Sequence, residues 1–244
     1  MKAICHIHTK YSFDGMMSPS KIVEYAKRRV INILLICDHD SFEGARQALD
    51  YAYSKKIDIY IPFSAEIKTE YGDIIVVLND FDENLNISEL KKFETLIHVV
   101  KNKGGVIILP HPYCQHRDIE RIAMKVDCIE VFNSRCSEQQ NQKALNLCMQ
   151  LNKVPIYGAD AHLFSELDNV IVSYSNFDRN FPFLSSSVLL AGRQTQNYKI
   201  RISSLIKAVR KRNFYEIVNL TLSMIKWLLI EEIFANRRKN IGRK

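Results

Sequence analysis

"CHIHTKYSFDG", residues 5–15, sets two imidazoles either side of one isoleucine and places an Asp-Gly six residues after the second. Residues two apart on a strand share a face, so His6 and His8 are predicted to point the same way. The apolar run Ala3-Ile4-Cys5 before them reads as the body of that strand. Taken singly these signals are weak. An H-x-H pair occurs without metal, and Asp14-Gly15 is an ordinary turn. Their meaning depends on what stands at the ends of the other apolar runs.

Those runs alternate along the chain. Ser18-Pro19 opens a helix, with serine as cap and proline at the first helical position. "INILLIC" (31–37), "IDIYIPFSAEI" (57–67), "DIIVVL" (73–78), "GVIILP" (105–110), "DCIEVF" (127–132), "VPIYG" (154–158) and "NVIVSYS" (169–175) read as strands. Helical patterns occupy 42–54, 88–102, 116–125 and 136–151 between them. Alternation of this kind predicts a mainly parallel sheet covered by helices, closed into a barrel or open and doubly wound.

The carboxyl ends of these strands carry the chemistry. His6 and His8 end the first, Asp38 and His39 the second, Glu66 the third. His111 follows "VIILP", Glu130 and Asn133 lie in "CIEVFN", and Asp160 and His162 follow "PIYG". In a parallel barrel these ends share one rim, where active sites sit. Imidazole with carboxylate suits zinc, iron or manganese. So many donors exceed what one ion takes, which predicts two or three ions sharing a bridging carboxylate. His98, in a helix, and His116, in a loop, read as surface or capping residues. Glu130 reads equally well as a buried acid paired with a base.

Composition sets the frame. The 244 residues are 47% hydrophobic and 25% charged, enough to bury a core without disulfide staples. Six cysteines form no C-x-x-C pair, and several lie in apolar runs. They are expected to be reduced and mostly buried, in a cytoplasmic protein. The start has no signal-peptide pattern. Residues 193–244 carry 13 Lys and Arg against 3 acids, whereas the rest is slightly acidic. The expected division is therefore 1–192 and a basic helical extension, 193–244. "SSLIKAVRKRN" is expected to open a helix at Ser203. "FYEIVNLTLSMIKWLLIEEIF" (214–234) is long enough to span a bilayer, but Glu216, Asn219, Lys226, Glu231 and Glu232 argue against it. A helix packed on the body or on a second subunit is favoured. Peripheral membrane contact aided by Arg237-Arg238-Lys239 and nucleic-acid contact are the alternatives.

As a set, "HIHT…FDG", "CDHD", "SAEI", "PHP" (110–112) and "ADAH" resemble the PHP family, the polymerase and histidinol phosphatase domains, over residues 1 to 175. The resemblance implies a distorted (β/α)7 TIM-like barrel. It implies one ion on His6, His8, Glu66 and Asp160, and a second on Asp14, His39 and His162. A third would lie on Glu66 and His111, with Asp73 where the family usually has histidine. Two further departures are Ile4, where the family often has an acid that can orient the first histidine, and Cys37 in place of threonine. The implied activity is hydrolysis of a phosphate ester by a metal-activated hydroxide. Asp38, His39 and Asp160 are candidates for proton transfer, and Lys10, Arg117 and Arg135 for phosphate contact. A small-molecule phosphomonoesterase is the leading expectation, and histidinol phosphatase and protein tyrosine phosphatase activities lie within the same class. The alternatives are a 5′-directed exonuclease or nucleotide phosphatase, and a non-catalytic metal-binding scaffold that uses its tail.

Overall fold

A computed structural model describes residues 1–82, 85–179 and 183–226. Contacts divide the chain into two units, Met1–Thr195 and Gln196–Lys244. The first unit opens with strand β1 (Lys2–Ile7), helix α1 (Pro19–Arg28), β2 (Ile33–Ile36) and α2 (Glu43–Ser54). A hairpin follows, β3 (Phe63–Thr69) and β4 (Gly72–Leu78), then a short α3 (Ile87–Leu90) and α4 (Phe93–Asn102). The remainder runs β5 (Val106–Leu109), α5 (Ile119–Lys125), β6 (Cys128–Asn133), α6 (Glu138–Gln150), β7 (Val154–Gly158), a 3-10 turn (Phe164–Asn169), β8 (Val170–Tyr174) and β9 (Ser187–Gly192).

The fold is mixed α/β, and its strands pair into two sheets rather than one closed barrel. One sheet has the order β2-β1-β8-β9 and the other β3-β4-β5-β6-β7. Backbone bonds join the sheets along two seams. Beyond β1, the His8 amide donates to the Ala161 carbonyl (2.8 Å) and the Ala161 amide to that of His6 (3.0 Å). Beyond β2, the Glu66 amide donates to Asp38 (3.1 Å) and the Asp40 amide to Glu66 (2.9 Å).

The pairing is less parallel than expected. β4 is antiparallel to both neighbours, and β8 and β9 are antiparallel additions. The cause of the first is the connection. Only Glu70 and Tyr71 separate β3 from β4, and a parallel crossover needs a dozen residues or more. The start of β4, with Asp73, therefore lies at the same end as the carboxyl ends of its neighbours.

Both faces of the central strands are buried. Ile75 and Val77 of β4 pack with the core built on β1, β2, α1 and α2, whereas Ile74, Val76 and Leu78 pack with α4. Such strands read as continuous apolar runs instead of alternating ones, which is why they stand out in the sequence. Some boundaries differ from expectation. Residues 57–62 precede β3 as loop, the 88–102 helix is split at Lys91–Lys92, and β9 was not anticipated. Ser18 precedes α1 in an extended conformation, and its hydroxyl meets Ser20 instead of capping the helix.

In the second unit, α7 (Asn197–Arg210) begins six residues before the expected Ser203, whose hydroxyl donates back to the Ile200 carbonyl (2.9 Å). Residues 214–226 are also helical. No helix among the described residues is long and apolar enough to cross a membrane. The expected role of Arg237-Arg238-Lys239 lies outside the described residues.

Candidate metal centre

Two backbone irregularities aim the first ligands. β1 breaks register between Cys5 and Ile7, and His6 there has φ +63°. This bulge, not simple strand alternation, is what sets His6 beside His8, with ring centroids 5.1 Å apart. His111 and Asp160 also have positive φ, 28° and 47°. Non-glycine residues held this way cost energy that the surrounding structure must offset, and they gather at functional sites. Asp14 is delivered by the loop after β1, where the Ser12 hydroxyl donates to its Oδ1 (2.7 Å). Gly15 makes that loop feasible, because a Cβ there would stand 2.2 Å from the Thr9 carbonyl oxygen.

The side chains converge on Glu66, which is fully buried. Its Oε2 lies 3.4 Å from His6 Nε2, 3.4 Å from His8 Nε2 and 3.2 Å from His39 Nδ1. Its Oε1 lies 3.0 Å from His111 Nε2. Asp160 Oδ1 is 3.4 Å from His8 Nε2 and 3.5 Å from His162 Nδ1. Asp14 stands 3.3 Å from both His39 Nε2 and His162 Nε2. Among the described residues, four groups are tight enough to hold an ion: His8-Asp14-His39-His162, His6-His8-Asp160, His6-Glu66-His111 and His39-Glu66-Asp73.

Most of these separations are long for hydrogen bonds. They match donors that share an ion, since two ligands each about 2.1 Å from one metal stand roughly 3.0–3.4 Å apart. The polar atoms left without partners agree. His6 Nε2, His8 Nε2, His111 Nδ1 and Glu66 Oε2 are buried and make no hydrogen bond. Buried polar atoms are rarely left unpaired, and buried charges are paired or bind metals. Three of these orphans, His6 Nε2, His8 Nε2 and Glu66 Oε2, face one another, and together they fit divalent cations.

Electrostatics follow from this crowding. Burial alone would lower His39 and His111, but Glu66, joined by Asp14 at His39 and by Asp160 and Glu130 at His111, outweighs it and holds both up at about 9. Burial and the neighbouring His162 push His8 down to about 3. Burial opposes ionisation of Glu66, yet His39, His6 and His111 keep it well below the usual carboxylate range.

A PHP domain family model matches residues 5–226. The chain belongs to the PHP domain family. Among curated relatives of this PHP domain, an uncharacterised protein of Methanocaldococcus jannaschii, MJ1587, is 31% identical over 147 residues, 55% of this chain and 82% of that one. A 5′-3′ exoribonuclease of Haemophilus influenzae is 37% identical over 81 residues, 32% of this chain and 28% of that enzyme. Among solved structures, a two-domain protein of Bacteroides vulgatus containing a predicted PHP-like metal-dependent phosphoesterase superposes with TM-score 0.63 at 16% identity. That superposition covers 83% of this chain and 68% of the other, and it carries the fold alone.

Every residue expected to bind metal in this PHP domain falls in one of the four groups: His6, His8, Asp14, His39, Glu66, Asp73, His111, Asp160 and His162. The grouping is more shared than expected, since His8 also faces Asp14, and His39 also faces Asp73.

Other expected roles change. Asp38 is fully buried, and both its oxygens accept from Thr9, amide (2.5 Å) and hydroxyl (2.6 Å). Burial raises it to about 6, but it braces the loop after β1 instead of facing the donor cluster. Arg135 forks onto Glu166 (2.9 and 3.1 Å), and Glu166 accepts the amides of His162 (2.7 Å) and Leu163 (2.9 Å). Arg135 thus steadies a ligand loop in place of contacting substrate directly. Lys10 lines a separate cavity of 370 Å³ with Tyr11, Gln47 and Tyr51. Lys10→Ala should leave metal content and hydrolysis of a model ester within about twofold of wild type, since surface substitutions away from a site have small effects. A larger loss in steady-state rates would return Lys10 to the site. Arg117 is exposed and lines a cavity of 280 Å³ with Lys68, whose ammonium lies 3.1 Å from Asp73.

Glu130 takes the role of a buried acid paired with a base. It is buried, takes His6 Nδ1 at 2.9 Å, and accepts from the His111 amide and the Asn133 amide group, both at 2.8 Å. It supplies the orienting acid that Ile4 does not. Its signal was its place at a strand's carboxyl end. Gly158 makes room for it, because a Cβ there would lie 1.6 Å from Glu130 Oε1. His116, expected at the surface, is half-buried, with Nε2 2.8 Å from the Asp73 carbonyl.

Proposed function

We propose that this PHP domain is a hydrolase of phosphate esters and that its substrates are small phosphomonoesters. The observation that carries this reading is the set of unpaired buried donors around Glu66. Divalent manganese, zinc or iron held there would lower the pKa of bound water to roughly 7 and neutralise phosphate oxygens. The chain does the rest. Glu66 balances the imidazoles, and Glu130 fixes the His6 ring by accepting from Nδ1, leaving Nε2 turned to the cluster. Asp160 is held ionised, because His6, His8 and His162 outweigh its burial, so it accepts a proton and does not donate one. His39 stays in place by stacking on Phe13 at 4.4 Å. Lys68 and Arg117, beside Asp73, form the basic edge where a substrate phosphate docks. We also read the two backbone seams as closing the sheets into the distorted barrel, which would keep the ligand-bearing ends on one mouth.

The test is direct. Protein purified without chelator should carry at least about two transition ions per chain and hydrolyse p-nitrophenyl phosphate, sugar phosphates or nucleotides. A gently purified chain with only traces of metal, inactive after manganese, zinc or iron(II) is added, would remove this reading. Glu130→Gln should weaken metal binding by about 10- to 100-fold, the usual consequence of losing a ligand's orienting partner. Competition with a chromogenic chelator measures it, and unchanged affinity would deny Glu130 that role.

A second reading is a 5′-directed exonuclease, favoured by the match to the exoribonuclease. It predicts preference for short 5′-phosphorylated RNA over monoesters, with affinity falling steeply as salt rises.

A further inference from the structure

Two cysteines outside the donor cluster meet at its edge. Cys114 follows β5 in the turn that begins at His111, and its amide donates to the His111 carbonyl (2.8 Å). Cys136 follows β6 in the turn that begins at Asn133, with its amide on the Asn133 carbonyl (3.1 Å). Their sulfurs lie 2.7 Å apart, and both are thiols. Each turn therefore joins a thiol to a working part of the centre. His111 faces Glu66, and Asn133 donates to Glu130 (2.8 Å) and to Asp160 (3.2 Å).

The other four cysteines do not share this setting. All four are buried, Cys5 and Cys37 completely so. Cys114 is only half-buried, whereas Cys136 is 5% exposed, so Cys114 is the more open of the two. The neighbouring Cys136 thiol also holds the Cys114 thiol below its ordinary range, which favours Cys114 as the attacking sulfur.

We propose that Cys114 and Cys136 are a modification site: a dithiol that a low-molecular-weight disulfide converts into an intrachain disulfide clasping the His111 turn to the end of β6. The Cys114 thiolate attacks one sulfur of the reagent RS–SR. A bond forms from Cys114 Sγ to that sulfur, the RS–SR bond breaks, and RS⁻ leaves. Cys136 gives its proton to solvent and attacks Cys114 Sγ, expelling the second RS⁻. Two protein thiols are oxidised and one disulfide is reduced to two thiols. Exchange requires only that Cys136 reach the mixed disulfide, and the 2.7 Å approach supplies that reach. In a reducing compartment such a pair is a sensor and not a staple. The consequence for hydrolysis rests on the function proposed above: a clasp on the His111 turn shifts a donor to Glu66, and displacements on the order of 1 Å in such a site cost up to about 100-fold.

The experiment uses the full chain. Reduced protein is treated with glutathione disulfide, its remaining thiols are alkylated, and the intact mass and a non-reducing peptide map are read. Two fewer alkylated thiols are expected, with no retained glutathione and one cross-linked peptide pair joining Cys114 to Cys136. C114S and C136S should each abolish the link and leave the reduced protein's activity unchanged. Six alkylated thiols, a different cross-link, or a glutathione adduct persisting at Cys114 would overturn the proposal. Hydrolysis of p-nitrophenyl phosphate is followed in parallel and should fall by about tenfold on oxidation and recover with dithiothreitol. If the link forms and the rate does not change, the clasp stands and its coupling to the centre is refuted. If the reduced protein shows no hydrolysis at all, the function fails while the mass result still decides the modification.

Discussion

Glu66→Gln lowers kcat/KM for a model phosphomonoester by roughly 1000-fold and empties most of the metal from the protein. The expected size follows from what the carboxylate balances. Glu66 is fully buried and faces four imidazoles, those of His6, His8, His39 and His111, at 3.0–3.4 Å. Removing one partner from a buried charged network costs about 3–5 kcal/mol. Where that cost falls on the metal-loaded state that carries out hydrolysis and not on the fold, 1.36 kcal/mol per decade makes it between two and four decades in rate. The amide is nearly isosteric, so the fold has little reason to collapse, but its NH2 group offers donors where the imidazoles need an acceptor or a shared cation. Two measurements taken together check this: metal per chain by elemental analysis and steady-state rates at saturating manganese. A variant that keeps its full metal complement, or stays within tenfold of wild type, would show that Glu66 is not the hub of the centre.

That hub was legible in the sequence because burial and chemistry coincide there. The strands of the body are apolar on both faces, so "LLIC", "DIIVVL" and "VIILP" stand out, and any polar residue at their ends is conspicuous. Seven donors, His6, His8, His39, Glu66, His111, Asp160 and His162, stand out in this way, Asp14 and Asp73 follow only from the family resemblance, and all nine come together. What periodicity could not show was direction. Nothing in "EIKTEYGDIIVV" says that the chain doubles back after Thr69, yet that two-residue hairpin is what carries Asp73 to the mouth. Nor does strand periodicity reveal a bulge. His6 meets its neighbours through a left-handed backbone that no alternation rule would propose. Place along the chain does not show which acid a cation meets in space, and Arg135 is the example. Glu166, which binds Arg135, lies in a 3-10 turn with no pattern of its own. Asp38 was misjudged for the related reason that its partner, Thr9, belongs to the loop after a different strand. β9 is a short run, "VLLA" between serines and glycine, whose alternation between half-buried and exposed positions shows only in the structure.

Stripped of metal, the protein loses stability as pH rises from about 6.5 to 9, whereas the loaded protein gains it. In the metal-free chain His39 and His111 sit at about 9 against an ordinary 6.5, because the carboxylates around them, Glu66 foremost with Asp14 beside His39 and Asp160 near His111, together outweigh their burial. A group whose folded pKa is raised stabilises the fold fully below the unfolded value, and that contribution fades as pH climbs through the folded value. The window is therefore 6.5 to 9, and each shift corresponds to about 3 kcal/mol at 1.36 kcal/mol per unit. Both histidines lean on the same carboxylate, so the two contributions do not add, and a total of about 3 kcal/mol is expected. In a chain of this size that is a fall in Tm of about 6–12 °C between pH 6 and pH 9. Glu66, Asp14 and Asp160 are shifted the other way, so their contribution is present at both of these pH values and is lost only in acid. Bound metal reverses the trend, since ions compete with protons for the same imidazoles and win as pH rises. Melting curves with chelator and with excess manganese, at both pH values, should therefore diverge, with the gap widest at pH 9. Parallel curves would mean that the imidazoles are not held by Glu66 in the free protein. The two predictions then check each other, because Glu66→Gln removes the carboxylate that contributes most to raising His39 and His111, and the metal-free variant's Tm should fall less across that window.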